Sequence, residues 1–322
     1  MNEPLISICV PVYNVAPYIE RCVRSLMEQT YRNTEFVFVD DYSTDQSMAI
    51  LRSVLADYPE RSKQALIVTN DRNHGLAYTR RISIERAHGE YIVCVDSDDY
   101  AERHMLQSLF DQAAATDADL VAAGYYMETA TPTIEAPYSC SDGEDYMEAV
   151  LSDKLQHLCN KLVRRSLFTE GRSCYAPEGL DYLEDRTTML LLASKAKRIT
   201  AVNRPTYHYV YRSDSVSQSK NEKHFRSLIR YWQIADNLLC ELGRTEQYKQ
   251  LVGEQKIYDK AFLLMHCDNK TRKQFADIFA AEEKLYHPQL SRGLALMHRL
   301  TRHHLWWLTY CYQCYIRWIA RA

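Results

Sequence analysis

The sequence predicts an α/β protein in which a sheet of parallel strands is followed by a helical C-terminal region. Through the first 125 residues, short apolar runs alternate with amphipathic helical stretches, which is the pattern of strand–helix–strand units. Gly and Pro number only 9 each among 322 residues, which argues against a low-complexity or linker-rich chain. Beyond residue 221 the pattern is helical almost to the end. We therefore expect an α/β domain at residues 1–217 and a helical region at residues 218–322.

Each predicted strand is a short apolar run that ends in turn-forming or acidic residues. The predicted strands are Leu5–Val12, Glu35–Val39, Leu66–Thr69 and Tyr91–Val95. Apolar residues at helical spacing predict helices between them, beginning near Ile19, Ser47 and Leu76. The alternation ends after Leu120–Gly124, and Glu144–Ser194 is predicted to be mostly helical. Strands joined by helical crossovers are expected to be parallel, and ligands of such sheets bind at the carboxyl ends of the strands.

Composition and charge narrow the classes of function. The chain has 39 Lys+Arg and 42 Asp+Glu, a net charge of -3, so it is not expected to bind nucleic acid over its surface. The ten cysteines are scattered through apolar runs and are expected to be reduced thiols. The N-terminus has no secretory signal pattern, and no run reaches the roughly 18 to 20 apolar residues of a spanning helix. We expect a cytoplasmic protein, with association at the cytoplasmic face of a membrane left open.

Acidic residues cluster directly after two of the predicted strands. Asp40 and Asp41 follow the second strand, and Asp96, Asp98 and Asp99 follow the fourth. Parallel neighbours bring such ends to one edge, where crowded carboxylates are unfavourable unless a cation shares the site. Oxygen ligands without His or Cys suit Mg²⁺ or Mn²⁺, and no glycine-rich phosphate loop is present in the sequence. The sequence therefore predicts a divalent metal at this edge.

Several motifs lie at or near these strand ends. In chain order they are Ser7 to Asn14, Ser25-Leu26, Gln29-Thr30, Val39 to Asp41 with Ser43 and Asp45, Asn73-His74-Gly75, Arg80, Gly89 to Ile92, and Asp96 to Asp99. Their order and spacing resemble those of the inverting glycosyltransferase family 2. The resemblance is strong over about residues 4–125 and looser to about Ser217. It implies a GT-A fold, a Rossmann-like nucleotide-diphospho-sugar transferase domain with a helical C-terminal extension. Residues 1–125 would bind donor and metal, and residues 126–217 would bind acceptor and supply the base.

The resemblance also implies roles for individual residues. A nucleotide-sugar donor, commonly a UDP-sugar, would be bound by Pro11, Val12, Tyr13, Asn14, Asp41, Arg80, Asp96 and Ser97. Val12 and Tyr13 would line the base pocket, Asp41 would contact the base, Asp96 would reach the ribose, and Arg80 would lie near the diphosphate. Asp98, with Asp96, would hold the Mn²⁺ or Mg²⁺ ion that bridges the diphosphate.

An inverting transfer needs a general base, because the acceptor hydroxyl loses its proton as it attacks the anomeric carbon. The pair Glu184-Asp185 resembles the Glu-Asp motif of the family, which implies Asp185 as the base and Glu184 as its neighbour or an acceptor contact. An acidic cluster that stabilises a helix N-terminus fits the local sequence equally well. Lys161 and the pair His208 and Arg212 lie in segments that resemble those flanking the base, which implies acceptor or diphosphate contacts. A solvated helix end for Lys161 and an ordered surface loop for His208 and Arg212 remain open as alternatives.

The C-terminal segment differs in charge from the rest of the chain. No Asp or Glu follows Glu283, whereas six basic residues do: Lys284, Arg292, Arg299, Arg302, Arg317 and Arg321. The segment is also rich in Trp and Tyr from Leu305 onward. Such a composition is typical of an interfacial membrane anchor, and packing into a C-terminal core or a homodimer interface remains an equal alternative.

The sequence thus predicts a metal-dependent inverting glycosyltransferase acting on a glycan or lipid-linked saccharide, in polysaccharide biosynthesis. One alternative is a sugar nucleotidyltransferase, which also uses Asp-bound metal but whose Gly-rich N-terminal loop is absent here. Another is a non-catalytic, glycosyltransferase-like protein that binds glycan or membrane. A C-x-x-C pair, Cys311 and Cys314, with His303-His304 upstream, is a weak zinc hypothesis because no second pair completes it.

Overall fold

The computed structural model describes residues 3–129, 134–136, 143–154, 157–180, 182–211 and 221–319. The chain forms two compact units. The first comprises Met1–Val150 with Leu155–Arg212, and the second comprises Leu151–Lys154 with Ser213–Ala322.

The first unit begins with the predicted alternation of strands and helices. The strands are β1 (Ile6–Val12), β2 (Thr34–Asp40), β3 (Ala65–Thr69) and β4 (Tyr91–Cys94), and each bound lies within one residue of its prediction. The helices are α1 (Ile19–Met27), α2 (Ser47–Ala56), α3 (Pro59–Ser62) and α4 (Leu76–Glu85). All seven residues of β1 are buried, as expected for a central strand covered by helices on both faces.

The second half of this unit departs from the prediction. It contains β5 (Tyr100–Ala101), α5 (Met105–Thr116), β6 (Leu120–Glu128), β7 (Ile134–Ala136), α6 (Gly143–Leu151), β8 (Lys161–Arg164), α7 (Ser166–Thr169), α8 (Glu184–Lys195) and β9 (Ile199–Val210). The interpretation of Glu144–Ser194 as mostly helical is wrong at β8. The four residues Lys-Leu-Val-Arg are too short to show a period, and tertiary pairing decides their conformation.

Within the described residues, these strands form one nine-stranded mixed sheet in the order β3-β2-β1-β4-β8-β6-β9-β5, with β7 paired to β6. Strands β1 to β4 pair in parallel, as predicted. Strand β8 is antiparallel to both β4 and β6, so the sheet is not parallel throughout. The α/β class is confirmed, and the antiparallel insertion is the feature that the sequence pattern does not reveal.

Gly89, which belongs to one of the motifs that resemble the family, occupies a position too crowded for any side chain. Gly89 lies where the chain enters β4, and a Cβ atom there would lie 2.6 Å from Ser7 Oγ and 2.7 Å from the Leu5 carbonyl oxygen. The Gly89 N–H donates to Ser7 Oγ at 2.8 Å. Only glycine allows this close approach of β4 to β1.

The second unit is helical, as predicted beyond Asn221. Its helices are α9 (Glu222–Glu241), α10 (Thr245–His266), α11 (Asn269–Gln274), α12 (Glu282–Leu285), α13 (Arg292–Arg302) and α14 (Trp306–Ile319). Inside it, Lys260 Nζ and His298 Nε2 each lie 2.6 Å from Glu283 Oε1, and all three side chains are largely buried. Across the described ranges, no helix is both long enough and apolar enough to cross a membrane.

Candidate active site

Polar segments that follow β1, β2 and β4 lie at one edge of the sheet. The three strands are parallel neighbours, with Val12 paired to Asp40 and Cys9 paired to Cys94. Their carboxyl ends therefore lie side by side, which is where ligands of such sheets bind. The segments concerned are residues 13–16, 41–45 and 96–99.

Hydrogen bonds join the segment after β1 to the segment after β2. The Asn14 N–H donates to Ser43 Oγ at 3.2 Å, and Asn14 Oδ1 accepts from the Thr44 N–H at 2.9 Å. The Ala16 N–H donates to Asp45 Oδ2 at 3.0 Å. Asn14 has a φ of 50°, a left-handed conformation that Asn tolerates better than most residues. Asn14 thus positions the loop by direct contacts with its neighbour.

The four residues predicted at the end of β1 divide between core and surface. Pro11 and Val12 belong to the strand and are buried, and the Val12 carbonyl accepts from the Asp41 N–H at 2.8 Å. Tyr13 is 47% exposed, and Tyr42 on the neighbouring loop is 54% exposed. The side chain of Val12 lies in the core, so the exposed aromatic surface at this edge comes from the tyrosines.

Asp41 is buried and held by three donors. Its carboxylate accepts from Asn70 Nδ2 at 2.8 Å, from the His74 N–H at 2.9 Å and from the Gly75 N–H at 2.8 Å. A carboxylate has about four acceptor positions, so one remains for a ligand donor. Asn70 was not predicted as a site residue, although a polar residue directly after β3 is the signal that marked the other strand ends.

The acidic segment after β4 is anchored to β9. The Tyr207 hydroxyl accepts from the Asp96 N–H at 3.1 Å and donates to Asp99 Oδ2 at 2.8 Å. Asp99 Oδ1 accepts from the Val210 N–H at 2.8 Å. Burial, reinforced by the charges of Asp96 and Asp98, raises the pKa of Asp99 well above its ordinary value. Asp99 therefore anchors the acidic segment to β9 through its buried side chain. The sequence analysis did not identify Tyr207 as a site residue because strand β9 was not predicted.

Arg80 connects this acidic segment to the start of α8. One Nη atom donates to Asp96 Oδ1 at 2.6 Å, and the other contacts both Glu184 Oε2, at 2.6 Å, and Asp185 Oδ1. Burial alone would lower the pKa of Arg80, but Glu184 and Asp96 outweigh it and raise that pKa above its ordinary value. The buried Nε has no hydrogen-bond partner among the described residues. The structure thus places Arg80 among three carboxylates.

Glu184 and Asp185 form the first turn of α8. Leu183, just before the helix, has a left-handed φ of 65° that turns the chain into it. Negative side chains in the first turn of a helix interact favourably with the helix dipole, which agrees with the alternative hypothesis that this pair stabilises a helix N-terminus. Both carboxylates nevertheless contact Arg80, 104 and 105 residues away in sequence, so their position also depends on the tertiary structure.

The acidic segment offers oxygen ligands for a divalent cation. Among the described residues, Asp96, Asp99 and Cys159 place one ligand atom each within 4.8 Å of one another. Burial, with Asp96 and Asp99 nearby, raises the pKa of the Cys159 thiol well above its ordinary value, so it is a poor ligand. The pKa of Asp99 is raised as well, and both of its oxygens accept hydrogen bonds from β9, so Asp96 is the carboxylate of this group that suits Mg²⁺ or Mn²⁺. Asp98 is partly exposed in the same segment, and Ser97 is buried.

Lys161 is buried at the start of β8. Its Nζ donates to Asn160 Oδ1 at 2.6 Å and lies 3.4 Å from the Cys159 carbonyl oxygen. Burial lowers the pKa of Lys161 to about 8. Burial and the Lys161 charge likewise lower the pKa of His157 to about 4. Lys161 is therefore an interior cation beside the site, and its contact with a substrate stays a prediction.

His208, on β9, lies between two carboxylates. Its Nδ1 is 3.0 Å from Glu128 Oε1 and its Nε2 is 3.0 Å from Glu102 Oε1. Its ring stacks on Tyr100 at a centroid distance of 4.1 Å. Both ring nitrogens are engaged in this arrangement, and a contact with a diphosphate stays a prediction. Arg212, paired with it in the sequence prediction, lies outside the described residues.

The C-x-x-C pair does not form part of a potential metal site within the described ranges. Cys311 is partly buried and Cys314 is exposed, while His303 and His304 are exposed. None of the four belongs to a group of potential ligands close enough to share an ion.

Comparison with known sequences identifies the relatives of this chain. Residues 7–171 match the family profile described as "Glycosyl transferase family 2". The chain is 30% identical over 258 residues to a Bacillus subtilis (strain 168) protein described as the glycosyltransferase EpsH, covering 78% of this chain and 73% of that protein. It is 28% identical over 307 residues to the glycosyltransferase GlyG of Streptococcus pneumoniae serotype 4, covering 82% and 96%. Chondroitin synthase of Escherichia coli is 28% identical over 256 residues, covering 76% of this chain and 34% of the synthase.

Solved structures share the fold at lower sequence identity. S. aureus TarS residues 1–349, crystallised with UDP-GlcNAc, superposes with a TM-score of 0.65 at 18% identity, covering 93% of this chain and 92% of that one. The mannosyltransferase PcManGT from Pyrobaculum calidifontis, in complex with GDP-Man and Mn²⁺, has a TM-score of 0.57 at 18% identity, covering 98% and 86%. At this level of identity, the likeness establishes the architecture alone.

Proposed function

The chain belongs to glycosyl transferase family 2 and has the GT-A fold, and on that premise we propose that it transfers a sugar from a UDP-sugar to an acceptor hydroxyl with inversion. It is a glycosyltransferase by family membership. The donor, the stereochemical outcome, the metal and the acceptor are the proposed parts.

The observation that carries the proposal is the position of Arg80. It joins Asp96, in the segment expected to bind donor and metal, to Glu184 and Asp185, the pair expected to serve the acceptor. Residues that resemble two separate family motifs are thereby held together around one buried guanidinium. A fixed arrangement of this kind is what catalysis by positioning requires.

The donor nucleotide is proposed to bind at the edge formed by β1, β2 and β4. Asp41 has one acceptor position left for a base N–H, and the exposed ring of Tyr13 offers a stacking surface nearby. The resemblance assigns the ribose to Asp96. A UDP-linked donor is supported by the UDP-GlcNAc complex of TarS, whereas the GDP-Man complex of PcManGT shows that the fold also accepts another nucleotide.

A divalent cation is proposed to be held by Asp98 and Asp96, with Mn²⁺ the first choice because PcManGT was solved with it. Asp96 belongs to the one group of potential ligands among the described residues, and Asp98 lies two residues further along the same segment; together they fit a hard cation that binds through one or two carboxylates plus substrate phosphates. When bound, such an ion neutralises charge that develops on the nucleoside diphosphate leaving group. Asp99 is assigned the separate role of holding the segment to β9 through Tyr207 and the Val210 N–H.

Asp185 is proposed as the general base. The acceptor oxygen forms a bond to the anomeric carbon, the bond from that carbon to the diphosphate oxygen breaks, and the hydroxyl proton passes to the Asp185 carboxylate. The contact with the buried Arg80 guanidinium holds the Asp185 carboxylate in one position beside the acidic segment. Glu184 shares the same guanidinium and is proposed to orient Arg80 or to contact the acceptor.

The acceptor is proposed to be a glycan or a lipid-linked saccharide in polysaccharide biosynthesis. Support comes from the similarity to chondroitin synthase, whose name describes the synthesis of a polysaccharide. A lipid-linked acceptor would be presented at the cytoplasmic face of a membrane, which is where we propose that the protein acts.

Calorimetric titration of the full chain with UDP, GDP and CDP, each with and without Mn²⁺ or Mg²⁺, tests the donor and metal proposals. We expect UDP to bind more tightly when metal is present, and Asp98→Asn to lose that gain. The matched control is Asp111→Asn, an exposed carboxylate of α5, which should leave binding unchanged. The absence of metal-enhanced binding for every nucleoside diphosphate would contradict the proposal.

Product analysis separates transfer from the nucleotidyltransferase alternative. With a UDP-sugar and metal, we expect release of UDP, slowly to water and faster when an acceptor saccharide is added. Formation of pyrophosphate from UTP and a sugar 1-phosphate would instead identify a nucleotidyltransferase.

A further inference from the structure

The polarity of helix α14 is reversed relative to an ordinary surface helix. Trp307 is 73% exposed, Tyr310 is 54% exposed and Tyr315 is 56% exposed. Thr309 and Gln313, on the opposite side, are buried. A surface helix normally buries its apolar side chains and exposes its polar ones.

The buried polar side is held by specific contacts within the second unit. Gln313 Nε2 donates to the Cys267 carbonyl oxygen at 2.7 Å and lies 3.4 Å from the Met265 carbonyl oxygen, and Thr309 Oγ1 lies 3.5 Å from Asn269 Oδ1 on α11. These bonds fix the rotation of the helix. The exposed apolar residues and the partly buried Cys311 then share one broad face at helical spacing, here called the aromatic face: Trp307, Leu308, Tyr310, Cys311, Cys314 and Tyr315.

The surroundings of the aromatic face are basic. No acidic residue follows Glu283 in the sequence, while Arg299 and Arg302 on α13 are exposed. Helix α11, which packs against α14, adds the exposed Lys270 and Lys273. Lys273 Nζ lies 5.8 Å from the centre of the Trp306 ring. Such an arrangement, in which cations flank apolar rings, is complementary to a surface with an apolar interior and an anionic outer layer.

We propose that the aromatic face docks into the interfacial layer of a bilayer that contains anionic lipid. One side of helix α14 is buried against α11 and α13 of its own unit, so the aromatic face can meet a bilayer with the helix lying along the surface. Trp and Tyr favour the headgroup level, and Lys and Arg add attraction to anionic lipid. A second copy of the chain is the poorer occupant, because pairing two such faces would bring like charges together. The proposal does not depend on the proposed transfer reaction.

Vesicle flotation of the full chain tests the proposal. The probes are vesicles of phosphatidylcholine alone and vesicles with phosphatidylglycerol added. We expect flotation with the anionic vesicles, weakening as salt is raised, and a blue shift of tryptophan fluorescence on binding. The double variant Trp307→Ala, Tyr310→Ala should lower the partition coefficient by about 30-fold or more, from the apolar area lost.

The matched control is Tyr258→Ala, which removes an aromatic side chain of α10 that is 38% exposed in the same unit. It should float like the wild type. Thermal unfolding and UDP binding are measured for both variants, so that misfolding and loss of the donor site are separated from loss of membrane binding. Arg299→Gln with Arg302→Gln should reduce only the salt-sensitive part of vesicle binding.

Three results would overturn the proposal. The first is the absence of flotation with either vesicle type. The second is flotation that the double variant leaves unchanged. The third is a dimer in light scattering that the double variant dissociates, with no vesicle binding, because the aromatic face would then be a contact between copies.

Discussion

Each compact unit contains a cluster of buried charge, and the two clusters are built in opposite ways. In the first unit, Arg80 faces three carboxylates, from Asp96, Glu184 and Asp185. In the second unit, a single carboxylate, Glu283, is shared by Lys260 and His298. In the first cluster, carboxylates outnumber cations by three to one. In the second cluster, Lys260 and His298 both contact the one carboxylate of Glu283.

The difference separates a site prepared for a ligand from one that maintains the fold. Carboxylates in excess of the available cations repel one another, and that cost persists unless a ligand or metal relieves it. A balanced cluster has no such need, and removal of one member leaves a buried charge without a partner. We therefore expect the Arg80 cluster to govern activity and the Glu283 cluster to govern stability.

The largest expected effect comes from Asp185→Asn. Loss of the general base should lower the transfer rate by about 10² to 10⁴-fold, while UDP binding stays close to that of the wild type. Stability should change little, because the variant removes one of three carboxylates that compete for Arg80. The measurements are the rate of product formation, calorimetry with UDP, and thermal unfolding.

Glu184→Gln is the comparison variant for this prediction, since it also removes one negative charge beside Arg80. It should lose less activity than Asp185→Asn. Equal losses would show that charge around Arg80, and not proton transfer to Asp185, limits the reaction.

The next effect in size is a loss of stability in Glu283→Gln. Leaving the Lys260 ammonium buried without its carboxylate should cost about 3 to 5 kcal/mol of unfolding free energy. All four tryptophans lie in the second unit, so urea unfolding followed by tryptophan fluorescence reports on it directly. Glu246→Gln, which breaks an exposed pair with Lys249, is the control and should cost at most about 1 kcal/mol.

Acidification adds a second readout for Glu283. Burial alone would raise its pKa, but the hydrogen bonds from His298 and Lys260 outweigh burial and lower the pKa below its ordinary value. Because this pKa is lowered in the folded state, ionised Glu283 contributes fully to the unfolding free energy above about pH 4.3, and the contribution is lost as the pH falls through the folded pKa. The difference in unfolding free energy between wild type and Glu283→Gln should therefore shrink as the pH falls through that range. A constant difference would contradict the assignment.

The smallest expected effect concerns Lys161, a buried cation with no carboxylate within ion-pair distance among the described residues. Its pKa is about 8 in the folded protein and near 10.4 in an unfolded chain, so between these values the unfolded state binds more protons. The unfolding free energy of the wild type should therefore rise relative to that of Lys161→Met, by about 1.5 kcal/mol between pH 8 and pH 9.5. Urea unfolding followed by circular dichroism at both pH values measures this difference, and a falling difference would refute the prediction.

The parts of the fold that could be predicted from sequence are those fixed by local pattern. Strands β1 to β4 are short apolar runs that end in polar residues, and each was placed within one residue. Strand β8 was missed because Lys161–Arg164 has charged ends and borrows its strand conformation from β4 and β6. Strand β9 was missed because its buried and exposed positions do not alternate regularly.

For the candidate site, the sequence could propose individual residues but not their arrangement. Motif resemblance supplied Asp41, Asp96, Arg80 and Asp185 as individual residues. The contacts among them span up to 105 residues of sequence, and no local pattern encodes that Arg80 would face Asp185 instead of solvent. Tyr207, which anchors the acidic segment, became visible only when β9 was placed beside it.

The central position of β8 has a consequence for biosynthesis. Among the strands that the structure describes, β6 is joined to β4 only through the four residues of β8. During synthesis, the edge of β4 therefore stays unpaired until residue 164 has left the ribosome. Unpaired edges are templates for association between nascent chains. A pause in translation before residue 161 would prolong that exposure, whereas one after residue 164 would allow the sheet to close. The yield of soluble protein should therefore depend on codon choice around β8 more than elsewhere in the first unit.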